Sequence, residues 1–326
     1  MSVPMQAAIT GVHGYVPEHI LTNADLANRV ATTDAWITTR TGIKERRILQ
    51  RDAGSSVMGI AAVRGLLEKT GTDPHSIDLL IACTITPDCI MPATANLIAH
   101  AVGATQAFGY DLQAACSGFL YGLVTGAQFI ENNKYQKVVV VGVDKMSSIV
   151  NYADRNTCVL FGDGAAAVLL EANREGYGLI DSILQADGVG IPHLYQKRNT
   201  GGRPPEATEA TCQLHQEGRV VYRFAVEKMT KVVCEIMQRN DLQGEQLAFL
   251  VPHQANRRII EAVLQRTGLR ADQAMITLDR FGNTTNATIP ICLWQYEDRL
   301  KMGDSLVIVA FGAGFTWGAA YLTWAY

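Results

Sequence analysis

Five short runs of branched apolar residues punctuate the chain: DLLIAC (78–83), KVVVVG (137–142), AAAVLL (165–170), LAFLV (247–251) and LVIVA (306–310). Unbroken apolar runs of this length, without polar alternation, predict strands covered on both faces. Between them lie segments whose apolar residues recur every three or four positions, SVMGIAAVRGLLEKT (56–70), TGAQFIENN (125–133) and RRIIEAVLQRT (257–267), and these predict helices. Strands alternating with helices imply α/β layers.

The same order of elements occurs twice. DPHSIDLLIAC is answered by QGEQLAFLVPH, GYDLQAACSGFLYGLVTG by ITLDRFGNTTNATIPICLW, and KVVVVGVDKM by SLVIVAFGAGF. The chain therefore reads as two copies of one fold, residues 1–174 and 175–326, with the junction near 172–176. In the middle pair Cys116 and Asn283 occupy matching positions, each after a short strand and before a helix. Two copies closed around a pseudo-twofold axis would carry both side chains to a shared central site. Segment 194–216 has little apolar periodicity and is expected to be an excursion or lid.

Composition narrows the possibilities. With 48% hydrophobic and 18% charged residues over 326 positions, the chain can fill a large core. A formal net charge of -3 from 28 basic and 31 acidic residues, with no cationic run, argues against a nucleic-acid partner. The 7 cysteines show no C-x-x-C pair and no finger-like spacing to histidine, so a reducing compartment without a structural metal is expected. The start MSVPMQAAITGVHG lacks the features of an export signal, and no apolar run is long enough to span a bilayer, which leads us to expect a cytoplasmic protein.

Three residues at strand ends could carry chemistry. Cys116, in YDLQAACSGFLYG, sits among small residues where a helix begins. A helix N-terminus aimed at the sulfur should lower the thiol pKa, although a packed small residue is equally compatible with the segment. His253, in FLVPHQANRRI, follows an apolar strand; it could donate or carry a proton, or simply cap the turn. Asn283, in LDRFGNTTNATIP, could aim amide donors at an oxygen, but an asparagine after glycine is also ordinary turn chemistry. Together the trio suits either thiol hydrolysis or carbon–carbon condensation. The glycine-rich AFGAGFTWGAA (310–320) could bring backbone N–H groups to a reacting carbonyl, and its spacing does not fit a dinucleotide fingerprint.

Taken as a set, these motifs resemble the β-ketoacyl-acyl-carrier-protein synthase III family, the initiating condensing enzymes of type II fatty-acid synthesis within the thiolase-like superfamily. The resemblance extends from ITGVHGYVPEHILTNADL and DAWITTRTGIKERRI through YDLQAACSGF, FGDGAAAVLL, VPHQANRRII and DRFGNTTNATIP to AFGAGFTWG. It implies a duplicated five-layer α-β-α-β-α fold, usually a homodimer. It also implies that acyl-CoA is a substrate, that malonyl-loaded acyl carrier protein is the second substrate, and that no cofactor is bound. By this resemblance Cys116 is the acylated nucleophile, and His253 and Asn283 bind the second thioester carbonyl. Backbone N–H groups of Cys116 and Ala313 would form the oxyanion hole. Trp36, Arg40, Asn256 and Arg258 match positions around coenzyme A and its pantetheine arm, while Arg223 and Arg258 would dock the carrier protein.

Departures from the family pattern concern the pocket. Gly312-Ala313-Gly314 stands where three glycines are common, Met91 replaces a phenylalanine expected to meet the acyl chain across a dimer, and Arg219 replaces an asparagine. The 194–216 excursion is longer than usual. These changes leave primer length open, along with a secondary-metabolite ketosynthase or acyltransferase of the same fold. A cysteine hydrolase and a noncatalytic acyl-CoA-binding protein are readings of other classes.

Overall fold

A computed structural model describes residues 5–197 and 213–326. The first half runs β1 (Gln6–Tyr15), β2 (Ile20–Thr22), α1 (Asn23–Ala27), α2 (Asp34–Thr41), β3 (Glu45–Arg47) and α3 (Ser55–Thr70). It continues through β4 (Leu79–Cys83), α4 (Thr94–Val102), β5 (Phe108–Leu112), α5 (Gly118–Glu131), β6 (Lys137–Lys145), α6 (Arg155–Cys158) and β7 (Asp163–Asn173). The second half holds β8 (Gly178–Ala186), the short β9 (Leu194–Gln196) and β10 (Leu214–Gln216), α7 (Gly218–Arg239) and β11 (Leu247–Pro252). After these come α8 (Arg257–Thr267), α9 (Leu278–Phe281), α10 (Thr288–Tyr296), β12 (Ser305–Gly312) and β13 (Thr316–Thr323).

Two sheets with one topology result. The first has the order β1-β7-β6-β4-β5, and the second, read in the same sense, β8-β13-β12-β11. In each, the third and fourth strands are parallel and the second is antiparallel to both neighbours. The counterpart of β5 has shrunk to a single parallel bridge between Leu250 and Ala274. Helical winding begins two residues after Cys116, at Gly118, and two residues after Asn283, at Thr285, which is the equivalence the repeat implied.

The layers follow from which faces are apolar. β4 and β6 are buried almost throughout, so each needs cover on both faces. α5 and α10 lie between the sheets, where Phe119, Leu123, Ile289 and Leu293 share a core with Val140 and Ile308. α3 and α4 cover the outer face of the first sheet and α7 and α8 that of the second, completing α-β-α-β-α. Truncating Phe119, which is fully buried, to alanine would cost about 3–5 kcal/mol. α5 approaches its sheet closely because of Gly122: a Cβ there would lie 2.4 Å from Cys83 Sγ.

β6 extends three residues past the expected KVVVVG run, ending in Asp144 and Lys145, both buried. Asp144 is tolerated because its carboxylate is saturated. Oδ1 accepts from Thr84 Oγ1, Thr86 Oγ1 and the Ile85 and Thr86 N–H groups, while Oδ2 accepts from the N–H and Nδ2 of Asn286. Lys145 Nζ donates to the carbonyls of Gln50, Arg51 and Ala53. The ends of the expected excursion pair as β9 with β10, and its centre, 198–212, lies outside the described residues. Among the described residues no helix is long and apolar enough to cross a membrane.

Candidate active site

The two halves meet at one cavity of about 730 Å³, and Cys116, His253, Asn283 and Ala313 all line it. Each is held by backbone. Ala115, just before the nucleophile, takes φ = +48°, a left-handed conformation that costs a non-glycine residue about 1–2 kcal/mol, and it delivers Cys116 to the start of α5. Gly312 packs directly behind: a Cβ there would sit 2.7 Å from the Cys116 nitrogen. Thr316 Oγ1 donates to the carbonyls of Ala114 and Ala313, and Ser117 Oγ donates to the Thr316 carbonyl. The glycine-rich strand end is thus stitched to the nucleophile's loop.

His253 extends the pairing of β11 with β12, its N–H donating to the Val309 carbonyl at 2.8 Å. Neighbouring Gln254 donates to the carbonyls of Pro252 and Met275 and accepts from the Thr277 N–H, locking the turn. The imidazole Nδ1 lies 2.7 Å from Thr288 Oγ1, which leaves Nε2 for the cavity. Asn283 is bridged to Phe161 of the first half, its N–H donating to the Leu160 carbonyl. Its Oδ1 accepts from the Thr285 N–H at 2.9 Å, so the Nδ2 donors are the free end of the amide.

Electrostatically the floor is governed by burial. His253 is only 2% exposed, and desolvation pulls its pKa down to about 3, so the ring is neutral. The Cys116 thiol is pushed up to about 12, first by burial and then by the Asp144 carboxylate. This corrects the expectation of a thiol acidified by a helix N-terminus. The nearby backbone N–H does favour the thiolate, but loss of solvent outweighs it. Asp144 itself is shifted upward by burial. Cys116 and His253 therefore face the cavity as a neutral thiol and a neutral imidazole.

The mouth has a different character. Trp36, Arg40, Asn256 and Arg258 line the cavity there, joined by Arg219. The Arg155 guanidinium lies 4.5 Å over the Trp36 ring, and Arg258 lies 5.7 Å over Tyr222. Asn256 is largely spoken for: its side chain caps α8 by accepting from the Arg258 N–H and donates to the Arg40 carbonyl, tying α8 to the end of α2. Arg223 is exposed on α7 and does not line the cavity, and Met91 is 80% exposed and also outside it. Among the described residues no group of three or more His, Cys, Asp or Glu could hold a metal ion.

Sequence reasoning missed several of these positions. Arg155 and Asn156 sit in a polar stretch with no pattern of its own; the fold brings Asn156 to the cavity wall and lays Arg155 over Trp36. Asp144 carried a legible signal, a carboxylate terminating an otherwise apolar strand, where a buried charge demands a partner set. Phe161, within the FGDG run, forms wall beside Asn283.

Comparison with known proteins agrees with this geometry. Residues 110–188 match the family model for 3-oxoacyl-[acyl-carrier-protein (ACP)] synthase III, and residues 237–324 match the model for the C-terminal part of that family. The chain is 48% identical over 326 residues to β-ketoacyl-[acyl-carrier-protein] synthase III 2 of Bacteroides thetaiotaomicron, covering 99% of this chain and 97% of the relative. Among solved structures, the β-ketoacyl-[acyl-carrier-protein] synthase III of Thermus thermophilus superposes with a TM-score of 0.92 at 41% identity, over 98% of this chain and 99% of that one. The priming β-ketosynthase of the R1128 polyketide biosynthetic pathway reaches 0.92 at 31% identity, over 100% and 98%.

Proposed function

Because the chain belongs to the 3-oxoacyl-[acyl-carrier-protein] synthase III family, we propose that Cys116, His253 and Asn283 carry the family's decarboxylating condensation here. The enzyme is an acyltransferase that forms a carbon–carbon bond between a starter acyl group and malonyl-acyl-carrier protein. In the first step Cys116 Sγ attacks the thioester carbonyl of acyl-CoA. The S–C bond forms, the coenzyme A thiolate leaves, and it takes the thiol proton. In the second, the bond from the malonyl methylene carbon to its carboxylate breaks, releasing carbon dioxide and placing the electron pair on an enolate. The enolate oxygen receives hydrogen bonds from His253 Nε2–H and Asn283 Nδ2–H. Its carbon attacks the acyl-Cys116 carbonyl, and the resulting oxyanion faces the N–H groups of Cys116 and Ala313. Collapse expels the Cys116 thiolate, which regains a proton from solvent, and frees β-ketoacyl-carrier protein.

The observation that carries this reading is geometric: Thr288 Oγ1 occupies Nδ1 of His253 and the Thr285 N–H occupies Oδ1 of Asn283, which leaves Nε2 and Nδ2 facing one cavity with Cys116. Burial keeps the ring neutral, with a pKa of about 3, which makes it a poor base for the water that hydrolysis would have to activate but leaves it a donor to developing negative charge across the working pH range. At the mouth, Trp36, Arg40 and Arg258 offer a ring face and guanidinium donors suited to a nucleotide phosphate. Exposed Arg223 and Arg258 provide positive charge for an acidic carrier protein.

A second copy of the chain completes the proposal. β5 is the open edge of the first sheet, Phe108 on it is 40% exposed, and Ile90 and Met91, in the segment leading into α4, which packs against β5, are 70% and 80% exposed. Pairing at this edge would cover them and direct Met91 toward the partner's acyl site. The six described cysteines are all free, which supports a cytoplasmic setting.

The test offers a panel of acyl-CoA primers with malonyl-carrier protein and follows enzyme and product by intact mass. Acyl mass on Cys116 followed by malonyl-dependent β-ketoacyl product is the expected result. Free acid released without malonyl would make the protein a hydrolase, and binding with no covalent adduct would make it a noncatalytic acyl-CoA binder.

A further inference from the structure

His253 and Asn283 are asked to donate hydrogen bonds, yet only the amide is fixed as a donor by what its other end accepts. The imidazole needs a partner that dictates which nitrogen carries its single proton. A proton on Nδ1 would leave a lone pair at Nε2, facing the enolate oxygen and repelling it. A proton on Nε2 gives the donor that the second step requires.

The one side-chain contact at Nδ1 is Thr288 Oγ1, at 2.7 Å, inside a region where His253 and Thr288 are each 2% exposed. The same hydroxyl lies 3.0 Å from the Thr285 carbonyl oxygen and has only one proton to give. That carbonyl already receives the backbone N–H of Thr288, so it stays satisfied without the hydroxyl. If the hydroxyl gave its proton to that carbonyl it would accept from Nδ1–H and leave the lone pair at Nε2; given to Nδ1, it leaves Nε2 protonated, the form that the condensing role of His253 requires. We propose that Thr288 is the positioning residue that sets the tautomer of His253, its hydroxyl donating to Nδ1 so that Nε2 carries the proton into the cavity.

Thr288 is placed for this by its own anchoring. It opens α10, follows the turn Thr285–Ala287, and that turn is held by Asn286, whose N–H and Nδ2 donate to Asp144 Oδ2 and whose Oδ1 accepts from the Phe119 N–H at the start of α5. The chain of contacts runs from the nucleophile's helix, through Asn286, to the residue that aims the imidazole. Thr288 touches no substrate, and its effect is transmitted through His253. The assignment rests on the condensing role proposed for His253.

The experiment combines Thr288→Val, which keeps the shape and removes the hydroxyl, with Thr288→Ser, which restores it, and Thr288→Ala as a second deletion should the valine fold poorly. In protein labelled with 15N-histidine, the His253 signals, identified by their loss in His253→Gln, should show an unprotonated Nδ1 and a protonated Nε2 in the wild type and in Thr288→Ser. Thr288→Val should admit the other tautomer and slow malonyl decarboxylation at least about tenfold in kcat, with KM for malonyl-carrier protein within about twofold and acyl loading reduced far less. Thr288→Ser should recover decarboxylation. A protonated Nδ1 in the wild type overturns the proposal, as does decarboxylation at the wild-type rate in both Thr288→Val and Thr288→Ala. If His253→Ala also keeps wild-type decarboxylation, the condensing role of His253 falls too; if His253→Ala loses it while the Thr288 variants do not, only the tautomer assignment falls.

Discussion

The floor and the mouth of the cavity are built on different physics. At the floor, Cys116, His253 and Asn283 sit on strand ends and helix starts; backbone hydrogen bonds tie His253 to the neighbouring strand and Asn283 to the opposite half, Thr316 and Ser117 tie the loop of Cys116, and desolvation dominates the protonation of Cys116 and His253. At the mouth, Arg40, Arg219 and Arg258 are exposed, and the ordered features are a capping asparagine and two guanidinium–ring contacts. Buried donors that meet developing charge act without competition from water, whereas exposed charges are screened and shared with solvent. The chemistry should therefore depend steeply on the floor and gently on the mouth.

The largest effect expected is loss of acyl loading in Cys116→Ala, since among the described residues no other cysteine lines the cavity. An acyl adduct surviving in that variant, read by intact mass, would break the contrast at its base.

The protonation of the floor gives a second test. With a thiol pKa near 12, the folded state resists the thiolate, and alkylation of Cys116 by iodoacetamide should climb about tenfold per pH unit from pH 6 to 10 without levelling off. A plateau reached by pH 8 would show an acidified thiol and restore the helix-terminus reading. Across the same range His253 stays neutral, so decarboxylation by pre-acylated enzyme should show no inflection near pH 6.5.

At the mouth, Arg40→Ala and Arg258→Ala should each raise the KM for acyl-CoA about three- to tenfold at low salt and less at high salt, with kcat little changed. Short pantetheine thioesters, which lack the nucleotide phosphates, should be indifferent to both changes. Equal losses for the two substrate types would mean that these arginines shape the opening rather than hold phosphate.

The smallest and most selective effect belongs to Met91→Phe. Exposed in the single chain, this residue reaches an acyl site only under the pairing proposed at the β5 edge, where a rigid ring would shorten a pocket that a flexible thioether leaves open. Each methylene excluded would cost about 0.8 kcal/mol, so loading of hexanoyl- and octanoyl-CoA should fall several-fold with acetyl-CoA unchanged. An unchanged chain-length profile would remove Met91 from the acyl site.

The same contrast explains what could be read in the sequence. Strands, duplicated order and the three floor residues were legible because burial on both faces leaves unbroken apolar runs, and because strand ends recur at matching places in the repeat. The weakened fifth strand of the second sheet, a lone bridge at Ala274, was not, since pairing depends on a neighbour distant in sequence. The thiol's protonation was misread because a local helix start is visible in sequence while the depth of a cavity is not. Asn256 could have been recognised as a cap, an asparagine immediately before a helical run. The contact of Arg155 with Trp36 and that of Thr288 with His253 join residues far apart in the chain, and no local pattern announces them.

The central claim, that one thiol on the cavity floor is charged and then discharged by donors aimed at a second thioester, is tested most directly by the mass of the protein before and after malonyl-carrier protein is added. Wild-type enzyme given acyl-CoA should gain the acyl mass and return to its free mass within turnover time. His253→Ala and Asn283→Ala should gain the same mass and keep it, their discharge slowed by about a hundredfold or more. Discharge at the wild-type rate in both variants, or failure of both to load while correctly folded, would contradict the account.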